Sequence, residues 1–336
     1  MTIPAQIRTI HCGARGRGVW GPYVMNADAR FRPVALTSRS PDELGGVASA
    51  VGVEREHCFA TLDAALDAVD CDAVVITTPT VRHDEHVRRA IAAGKHVLVE
   101  KALAPTLAQA RALVDLADAA DVKLAVAQNY RFTADGWTMQ RIVEAGEHGT
   151  FSLATITMHR YRPTTKAREY PDATVWDMAS HHLDQLVACF GPVASASART
   201  WRAPSSIYPH SANLAATLTF ASGLTCAYTL CEDARRNALV YELHSERGAL
   251  ELRAGEWQWH AAQPPTADLL GLNDPPVALS TRAPWPGGEQ GVADAFARWL
   301  LDGVEPGISG RHNLVTLAAC DLVVRSAAAG GATITA

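Results

Sequence analysis

Two hydrophobic patterns divide the chain near residue 128. Up to that point, short continuous apolar runs alternate with segments in which apolar residues recur every three to four positions. Runs such as DAVVITTP (72–79) and HVLVEK (96–101) are typical of parallel strands that are buried on both faces, and the segments between them predict helices. The alternation therefore predicts βαβ units that build one parallel sheet.

Beyond residue 128 the apolar positions alternate with period two. FSLATITMHRYR (151–162) reads as a strand, and after a predicted helix near 176–190 six more strand patterns follow one another between residues 193 and 261. Consecutive strands without intervening helices predict antiparallel pairing. The second part of the chain is therefore expected to be an α+β domain with a mostly antiparallel sheet.

The end of the chain returns to helical patterns. The proline-rich stretch 261–288 predicts a long surface loop, and helices are expected at 289–302 and 311–329. We expect two domains, residues 1–128 and 129–336, in which the last helix packs back on the first domain.

Composition narrows the range of partners. The 336 residues carry a formal net charge of −5 and no basic run, which argues against a nucleic-acid partner. No stretch of about 18 apolar residues and no signal-like leader occurs, so we expect a cytoplasmic protein that makes no membrane contact. The seven cysteines are scattered without a CxxC pair, which favours reduced thiols over disulfides or a zinc site.

The stretch HCGARGRGVWG follows the first predicted strand and is rich in glycine. A Gly-x-Gly-x-x-Gly pattern that starts at Gly16 is formally complete, whereas the pattern that starts at His11 has lost its first glycine. Only the second follows the strand directly, as a phosphate loop must. In it, Gly13 would let the backbone approach a pyrophosphate, Gly16 would allow close helix packing, and Arg15, next to Ala14, could cap a phosphate. The alternative is a glycine-rich turn that binds no ligand.

The end of the second predicted strand bears on the choice of cofactor. A dinucleotide fold that binds NAD usually carries an acidic residue here, which binds the ribose hydroxyls. This chain has Ser38 and Arg39 instead, and a hydroxyl beside a guanidinium suits a 2′-phosphate. NADP is therefore the preferred cofactor, and NAD, bound through Asp42 or Glu43, is the alternative.

Several motifs occur in an order that spans nearly the whole chain. They are VVITTPTVRHDEHVRRAIAAGKHVLVEKALAPT, QNYRF, VWDMASHHLDQL and the closing NLVTLAACDLVVRSAAAG. In this order they resemble the Gfo/Idh/MocA family of sugar and cyclitol oxidoreductases. The resemblance implies an N-terminal Rossmann domain followed by an α+β domain with an open-faced sheet. It also implies a homodimer or homotetramer that forms through that sheet.

Lys101 ends a predicted buried parallel strand, and open α/β sheets bind their ligands at the carboxyl ends of such strands. The resemblance implies that Lys101 is catalytic. The family has a proline after this lysine, and this chain has Ala102 in its place.

The segment DMASHHLD places Asp177, His181 and Asp184 on one face of a predicted helix. The resemblance implies that Asp177 and His181 are catalytic. From the residues alone, this spacing also fits half of a metal site completed by His182 or His159, but no further cluster with ligand spacing supports it, and we predict no metal.

Six further candidates rest on family position alone, namely Thr78, Pro79, His83, Gln128, Tyr130 and Arg131. In all, the residues expected at the cofactor are Gly13, Ala14, Arg15, Gly16, Ser38, Arg39, Thr78, Pro79, His83, Glu100, Lys101 and Gln128. Those expected at the substrate or the domain junction are Tyr130, Arg131, Arg160, Tyr161, Trp176 and Asp184. The aromatic residues that we interpret as sheet-packing or subunit contacts are Tyr228, Tyr241, Trp257 and Trp259.

These features predict an NAD(P)-dependent dehydrogenase or reductase that acts on a CH–OH group of a sugar, cyclitol or related polyhydroxy substrate. His181 would accept the hydroxyl proton, Lys101 would stabilise negative charge on that oxygen, and Asp177 would bind an adjacent hydroxyl or tune the imidazole. Two alternatives are a catalytically silent NAD(P)-binding regulatory protein and an NAD-dependent hydrolase of the same fold.

Overall fold

The computed structural model describes residues 6–161, 170–262, 275–279 and 283–336. The chain forms two compact units. The first contains Met1–Asn129 and Trp285–Leu314, and the second contains Tyr130–Pro284 and Val315–Ala336.

The first unit is built around a parallel sheet with strand order β3-β2-β1-β4-β5-β6. Its strands are β1 (Ile7–Cys12), β2 (Phe31–Thr37), β3 (Cys58–Phe59), β4 (Ala73–Ile76), β5 (His96–Glu100) and β6 (Leu124–Ala127). Every residue of β4 and of β6 is buried, as expected for parallel strands covered on both faces. This strand order is that of the doubly wound dinucleotide-binding fold, so the predicted fold class is confirmed.

The helices follow the predicted positions to within a few residues. They are α1 (Trp20–Ala27), α2 (Gly45–Val51), α3 (Leu62–Ala68), α4 (His83–Ala92), α5 (Leu107–Ala119), α6 (Ala134–Ala145), α7 (Ser180–Phe190), α8 (Gly288–Asp302) and α9 (Gly310–Ala328). Short 3₁₀ turns precede three of them, at Gly16–Val19, Pro41–Leu44 and Thr80–Arg82. Thr61 and Thr106 cap α3 and α5 by accepting hydrogen bonds from main-chain amides.

Helix α8 belongs to the first unit, although the division at residue 128 assigned it to the second domain. Phe296 stacks on Phe31, with ring centroids 6.5 Å apart, and Asp294 pairs with Arg30 at 2.9 Å. After the helix, the Val126 amide donates to the Ile308 carbonyl. These partners lie more than 150 residues apart in sequence, so no local pattern could reveal them.

The second unit contains a mixed sheet with strand order β14-β13-β12-β11-β7-β10-β9-β8-β15. Its strands are β7 (Phe151–Tyr161), β8 (Val193–Trp201), β9 (Asn213–Phe220), β10 (Thr225–Cys231), β11 (Asp233–Ser245), β12 (Gly248–Arg253), β13 (Glu256–Ala261), β14 (Val277–Leu279) and β15 (Ile334–Thr335). Helix α7 contacts the inner face, where His182 Nδ1 lies 2.8 Å from the Tyr228 hydroxyl. On the other face, Leu153 of β7 is 43% exposed.

Most neighbouring strands pair in antiparallel fashion, but the expectation that all consecutive strands pair is wrong at one place. Strand β7 lies between β10 and β11, pairing parallel with the first and antiparallel with the second. Strands β3, β14 and β15 were not predicted because two or three residues are too few to show a period. Most of the predicted loop at 261–288 lies outside the described residues.

Candidate functional site

The glycine loop begins where β1 ends. Gly13 has a φ of +93°, and its amide and that of Ala14 donate to the Thr37 carbonyl at 3.0 and 3.1 Å. A Cβ atom on Gly13 would lie 2.8 Å from Thr78 Cγ2 and 2.9 Å from the Thr78 amide nitrogen. The chain's own packing therefore requires glycine here, in addition to any requirement of a bound pyrophosphate.

Gly18 is a second glycine that packs closely, against Thr77 and the Gly13 carbonyl. The predicted phosphate loop did not include it. The Thr77 hydroxyl lies 3.2–3.4 Å from the carbonyl oxygens of Cys12, Gly13 and Gly18. A Cβ atom on Gly18 would lie 2.6 Å from that hydroxyl and would overlap the Gly13 carbonyl. The start of the helical segment thus packs on the end of β4 through Gly18. The signal in the sequence is the formally complete glycine pattern, which includes this residue.

His11 occupies the position of the missing first glycine and is fully buried. Its Nε2 atom lies 2.9 Å from the Thr9 hydroxyl, and burial lowers its pKa to about 3, so the ring is neutral at pH 7. A Cβ atom on Gly21 of α1 would lie 3.2 Å from its Nδ1 atom. The imidazole therefore occupies space that Gly21 leaves open, and the helix can still approach the strand.

The residues expected to select the cofactor lie at the end of β2. Arg39 is exposed, and the Ser38 hydroxyl accepts a hydrogen bond from the Ser40 amide at 3.3 Å. Arg15 forms an ion pair with Glu43, in which both side chains are half exposed. This pair connects the glycine loop to the turn after β2, and it already engages one of the two carboxylates considered for NAD.

Glu100 is the last residue of β5, and Lys101 directly follows it. The Glu100 carboxylate accepts a hydrogen bond from the Trp20 indole at 2.7 Å and from the Lys101 amide at 3.1 Å. Burial raises the pKa of Glu100, and the charge of Lys101 opposes that rise. The peptide bond between Lys101 and Ala102 is cis. Trp20 was not predicted to contribute, because it lies 80 residues before Glu100 in the sequence and is close to it only in the folded structure.

His83 lies at the start of α4, after the loop that contains Thr78 and Pro79. Its side chain is fully buried, and both ring nitrogens contact main-chain carbonyl oxygens, those of Ala102 and Thr78. The Thr78 hydroxyl lies 3.0 Å from His86 Nδ1 on the next turn of the helix. The loops that follow β4 and β5 are thereby joined through one histidine.

Gln128 follows β6 and is 1% exposed. Among the described residues, neither its amide nitrogen nor its amide oxygen has a hydrogen-bond partner. A buried donor and acceptor without partners are costly unless a ligand or water satisfies them. Together with the glycine loop at the end of β1, this unsatisfied amide fits a dinucleotide, whose nicotinamide carries a carboxamide of complementary hydrogen-bonding character.

Asp177 lies in a π-helical turn, Thr174–Ala179, that leads into α7. Such turns widen the helix and are frequent at functional sites. The half-buried Asp177 carboxylate accepts a hydrogen bond from the Tyr170 hydroxyl at 2.5 Å. Tyr170 was not among the predicted residues. Trp176, expected near the substrate, is 4% exposed within the same turn.

His181 lies in the first turn of α7 and stacks on Tyr130, with ring centroids 4.0 Å apart and an interplanar angle of 15°. Tyr130 also meets the edge of His182 at 5.8 Å. His182 is fully buried, and burial lowers its pKa to about 3. His181 is itself only 6% exposed, and His182 packs deeper, beside Tyr228.

Asp184 is 1% exposed and binds side chains of the protein itself. It accepts hydrogen bonds from Arg131 at 2.5 and 2.9 Å and from the Thr316 hydroxyl at 2.8 Å. Burial alone would lower the pKa of Arg131, but the charge of Asp184 raises it above its usual value. These contacts favour a structural role for Asp184 over a direct substrate contact.

The other substrate candidates have less distinctive surroundings. Arg160 is half buried, and its guanidinium donates to Met178 Sδ at 3.3 Å. The side chain of Tyr161 lies outside the described residues. Tyr228, Tyr241 and Trp257 are at most 4% exposed and pack inside the second unit.

The described part of the chain contains neither a metal-binding group of three or more His, Cys, Asp or Glu residues nor a helix able to cross a membrane. The second unit therefore offers a Tyr–Asp pair and a Tyr–His stack on or beside one helix. The first offers a glycine loop and a lysine at the carboxyl ends of parallel strands. The glycine loop at the carboxyl end of a parallel strand is typical of a dinucleotide-binding domain.

Comparison with known proteins identifies the family. Residues 8–128 match the description "Oxidoreductase family, NAD-binding Rossmann fold", and residues 137–251 match "GFO/IDH/MocA C-terminal domain". The chain belongs to the Gfo/Idh/MocA oxidoreductase family.

Individual relatives differ in how much of their length is matched. Inositol 2-dehydrogenase of Rhizobium meliloti is 28% identical over 90% of this chain and 91% of its own. The scyllo-inositol 2-dehydrogenase (NADP(+)) of Bacillus subtilis is 33% identical, but over 36% of this chain and 35% of its own. The chain covers only 35–49% of the length of the curated relatives matched at 32–35% identity.

A solved structure supports the fold over the whole length. The aldose–aldose oxidoreductase of Caulobacter crescentus, crystallised with glycerol, superposes with a TM-score of 0.84 and 21% identity. The match covers 98% of this chain and 100% of that one. At this identity the likeness establishes the fold and not the substrate.

Proposed function

We propose that this protein is an NAD(P)-dependent dehydrogenase or reductase that interconverts an alcohol and a ketone on a sugar, a cyclitol or a related polyhydroxy compound. The observation that carries the proposal is that Lys101 ends a buried parallel strand beside a glycine loop, in a chain that also holds Asp177 and His181 in the positions that the family uses for acid–base chemistry. The whole-length relative named inositol 2-dehydrogenase supports a polyhydroxy substrate.

The bound cofactor would exchange hydride with the substrate carbon. The glycine loop, the end of β2 and Gln128 would hold it. His181 accepts the substrate hydroxyl proton during oxidation, and its ring plane is fixed by the stack on Tyr130. Lys101 donates a hydrogen bond to the same oxygen and stabilises its developing negative charge. Asp177, oriented by Tyr170, binds a neighbouring hydroxyl.

The test is turnover of polyols with NADP⁺ or NAD⁺, and of ketoses with NADPH or NADH, followed by nicotinamide absorbance. Lys101→Met and His181→Asn should each lower kcat by about 10²- to 10⁴-fold, while cofactor affinity changes little. Lys95→Met is the matched control, because Lys95 lies at the other end of β5 and pairs with Asp70. Wild-type rates in both site variants would contradict the assignment. A protein that binds the cofactor without turnover on any substrate would instead be regulatory.

We propose NADP as the preferred cofactor. The exposed Arg39 and the Ser38 hydroxyl follow β2 at the position where a ribose 2′ group is bound in this fold, and Glu43 is engaged by Arg15. Arg39→Ala should lower kcat/KM for NADPH by about 10- to 100-fold, as expected for loss of a charge-assisted hydrogen bond, and should leave the NADH value nearly unchanged. Equal losses with both cofactors would contradict the proposal.

We also propose that the chain forms a homodimer or homotetramer through the outer face of the nine-stranded sheet. Leu153 is 43% exposed there, and Thr229 and Ala227 are exposed on β10. A large exposed sheet face with an apolar residue suits burial against a second copy. Leu153→Arg should shift the mass measured by light scattering towards the monomer, and an unchanged mass would exclude this face.

A further inference from the structure

We propose that His83 is a positioning residue that joins the loop after β4 to the loop after β5 through both of its ring nitrogens, and so fixes the backbone that carries Lys101. Its Nδ1 atom lies 2.7 Å from the Ala102 carbonyl oxygen, and its Nε2 atom lies 2.8 Å from the Thr78 carbonyl oxygen. The ring is fully buried at the start of α4. One side chain thus spans two loops that belong to neighbouring strands.

This geometry differs from the role expected from the sequence, which placed His83 at the cofactor. Each ring nitrogen is directed at a main-chain oxygen of the protein, so the ring has a role within the protein's own structure. The effect on the site is indirect. Ala102 directly follows Lys101. Thr78 packs against Gly13 so closely that a Cβ atom on that glycine would lie 2.8 Å from the threonine methyl group. Displacement of the histidine would therefore disturb the lysine first and the glycine loop second.

The chemistry of the two partners determines what the ring must donate. Carbonyl oxygens only accept hydrogen bonds, whereas a neutral imidazole has one N–H group and one lone pair. A lone pair facing a carbonyl oxygen at hydrogen-bond distance is repulsive, so two favourable contacts require an N–H on each nitrogen. The arrangement is thus satisfied by an imidazolium.

The surrounding charges act in both directions. Complete burial of the ring, the N-terminus of α4 and the cationic side chains of Arg82 and Lys101 oppose a cation at this position. Asp84 and Glu85 in the first turn of α4 favour it, and each also pairs with an arginine of the same segment. So does the Glu100 carboxylate, which binds the Lys101 amide one residue before the Ala102 carbonyl. The two short contacts to carbonyl oxygens are the additional interaction that makes the charged form the one that fits.

The first experiment reads the ring directly, and it does not depend on activity. Long-range ¹⁵N–¹H NMR of the protein labelled at histidine should contain, at pH 7, one imidazolium signal with hydrogen on both nitrogens, and this signal should be missing from His83→Gln. If the signal that disappears in His83→Gln instead shows hydrogen on only one ring nitrogen, the proposal is wrong. His86→Gln should retain this signal, which separates loss of the His83 ring from a general change in the spectrum.

The second experiment tests whether His83 affects catalysis by positioning Lys101. It rests on the proposed dehydrogenase function. Glutamine can donate to only one carbonyl, so His83→Gln should lower kcat by about 10- to 100-fold, since misplacement of a catalytic group costs about that much. The Kd of NADPH should rise by less than about fivefold. In a Lys101→Met background, His83→Gln should have almost no further effect on kcat, because residues that act as a unit are not additive.

A matched control lies one turn further along the same helix. His86 contacts the Thr78 hydroxyl but not the loop after β5, so His86→Gln should leave kcat within about twofold of wild type. If His83→Gln lowers kcat by the same factor with and without Lys101, the positioning role is wrong. If the wild-type protein has no dehydrogenase activity, the proposed function fails while the NMR experiment still decides whether His83 joins the two loops.

Discussion

The carboxyl ends of the parallel strands in the first unit and helix α7 in the second hold their candidate catalytic groups by different means. At the carboxyl ends of the strands many contacts run to the main chain, as in the hydrogen bonds that Thr77 and His83 make with carbonyl oxygens. Around His181 they run between side chains, as in the Tyr130 stack and the Arg131–Asp184 pair. Main-chain contacts depend on the fold and tolerate many sequences, whereas side-chain contacts require particular partners. The two regions should therefore respond differently to substitution.

The largest effect is expected where a side-chain contact is both charged and buried. Asp184→Asn leaves the Arg131 guanidinium, 10% exposed, without its counter-charge, and should lower the free energy of unfolding by about 3–5 kcal/mol. Urea denaturation measures this change. The double variant Arg131→Met/Asp184→Leu should be less destabilised than Asp184→Asn, since no unpaired charge is then buried.

The control for that prediction is an exposed pair with similar chemistry. Asp84 and Arg88 are four residues apart on α4, and Asp84→Asn should change the free energy of unfolding by less than about 0.5 kcal/mol. If the two aspartate variants lose equal stability, the buried pair has no special role and the contrast between the regions is not real.

The main-chain region has its own sensitive position. Gly18→Ala places a methyl group against the Thr77 hydroxyl and the Gly13 carbonyl, and should destabilise the protein by about 1–3 kcal/mol, the usual cost of overpacking. Cofactor binding, measured by titration with NADPH, should weaken in parallel. Gly46→Ala, at an exposed position of helix α2, is the control, because no atom lies within 4 Å of the position that a Cβ would take there. It should be neutral or stabilising by up to about 1 kcal/mol. Equal loss in both would mean that close packing is not the cause.

The same contrast separates what the sequence revealed from what it did not. The strand ends that carry Lys101 and Gln128 were predictable, because continuous apolar runs define buried parallel strands and their carboxyl ends meet at one edge. The helix starts at Thr61 and Thr106 are recognisable from local chemistry, because a threonine hydroxyl there can accept from a main-chain amide. The π-helical turn around Asp177 was not predictable, because it alters the helical period without leaving a composition signal.

Partners from distant segments were the main omission. Trp20 binds Glu100 across 80 residues, and Thr316 binds Asp184 across 132. Tyr170 lies only seven residues before Asp177, but an irregular segment gives no rule for where its hydroxyl points. The contacts that helix α8 and the residues after it make near residues 30 and 126 were not predictable for the same reason. Hydrophobic periodicity reports burial, and it does not report which surfaces meet.

Acid should affect both regions through buried histidines. His11 and His182 have pKa values lowered by burial to about 3, below the usual 6.5 that they regain on unfolding. The unfolded chain therefore binds more protons between these values, and stability falls as the pH drops from about 6.5 towards 3. Each histidine contributes a slope of up to about 1.4 kcal/mol per pH unit.

Urea denaturation at pH 7, 6 and 5 measures that slope. His11→Gln and His182→Gln should each reduce it by a similar amount, because burial is the first cause in both and the ring is neutral in both. The exposed His244→Gln is the control for a histidine substitution outside the core. A slope that responds to only one of the two buried histidines would show that the other is solvated in the folded protein.

The smallest effects come from the helix caps, and they distinguish the regions most directly. The Thr106 hydroxyl caps α5 by accepting from the Gln109 amide, and Thr106→Ala should cost about 1 kcal/mol without a change in kcat. Thr133 caps α6 in the same way, but its hydroxyl also donates to the Tyr130 carbonyl at 2.8 Å. Thr133→Ala should cost a similar stability and also lower kcat several-fold, because it loosens the residue that stacks on His181. Thr133→Ser keeps both contacts and should restore the rate. Equal rates in Thr133→Ala and Thr106→Ala would mean that the Tyr130 backbone is held by other contacts, and that the second region depends less on individual side chains than its structure indicates.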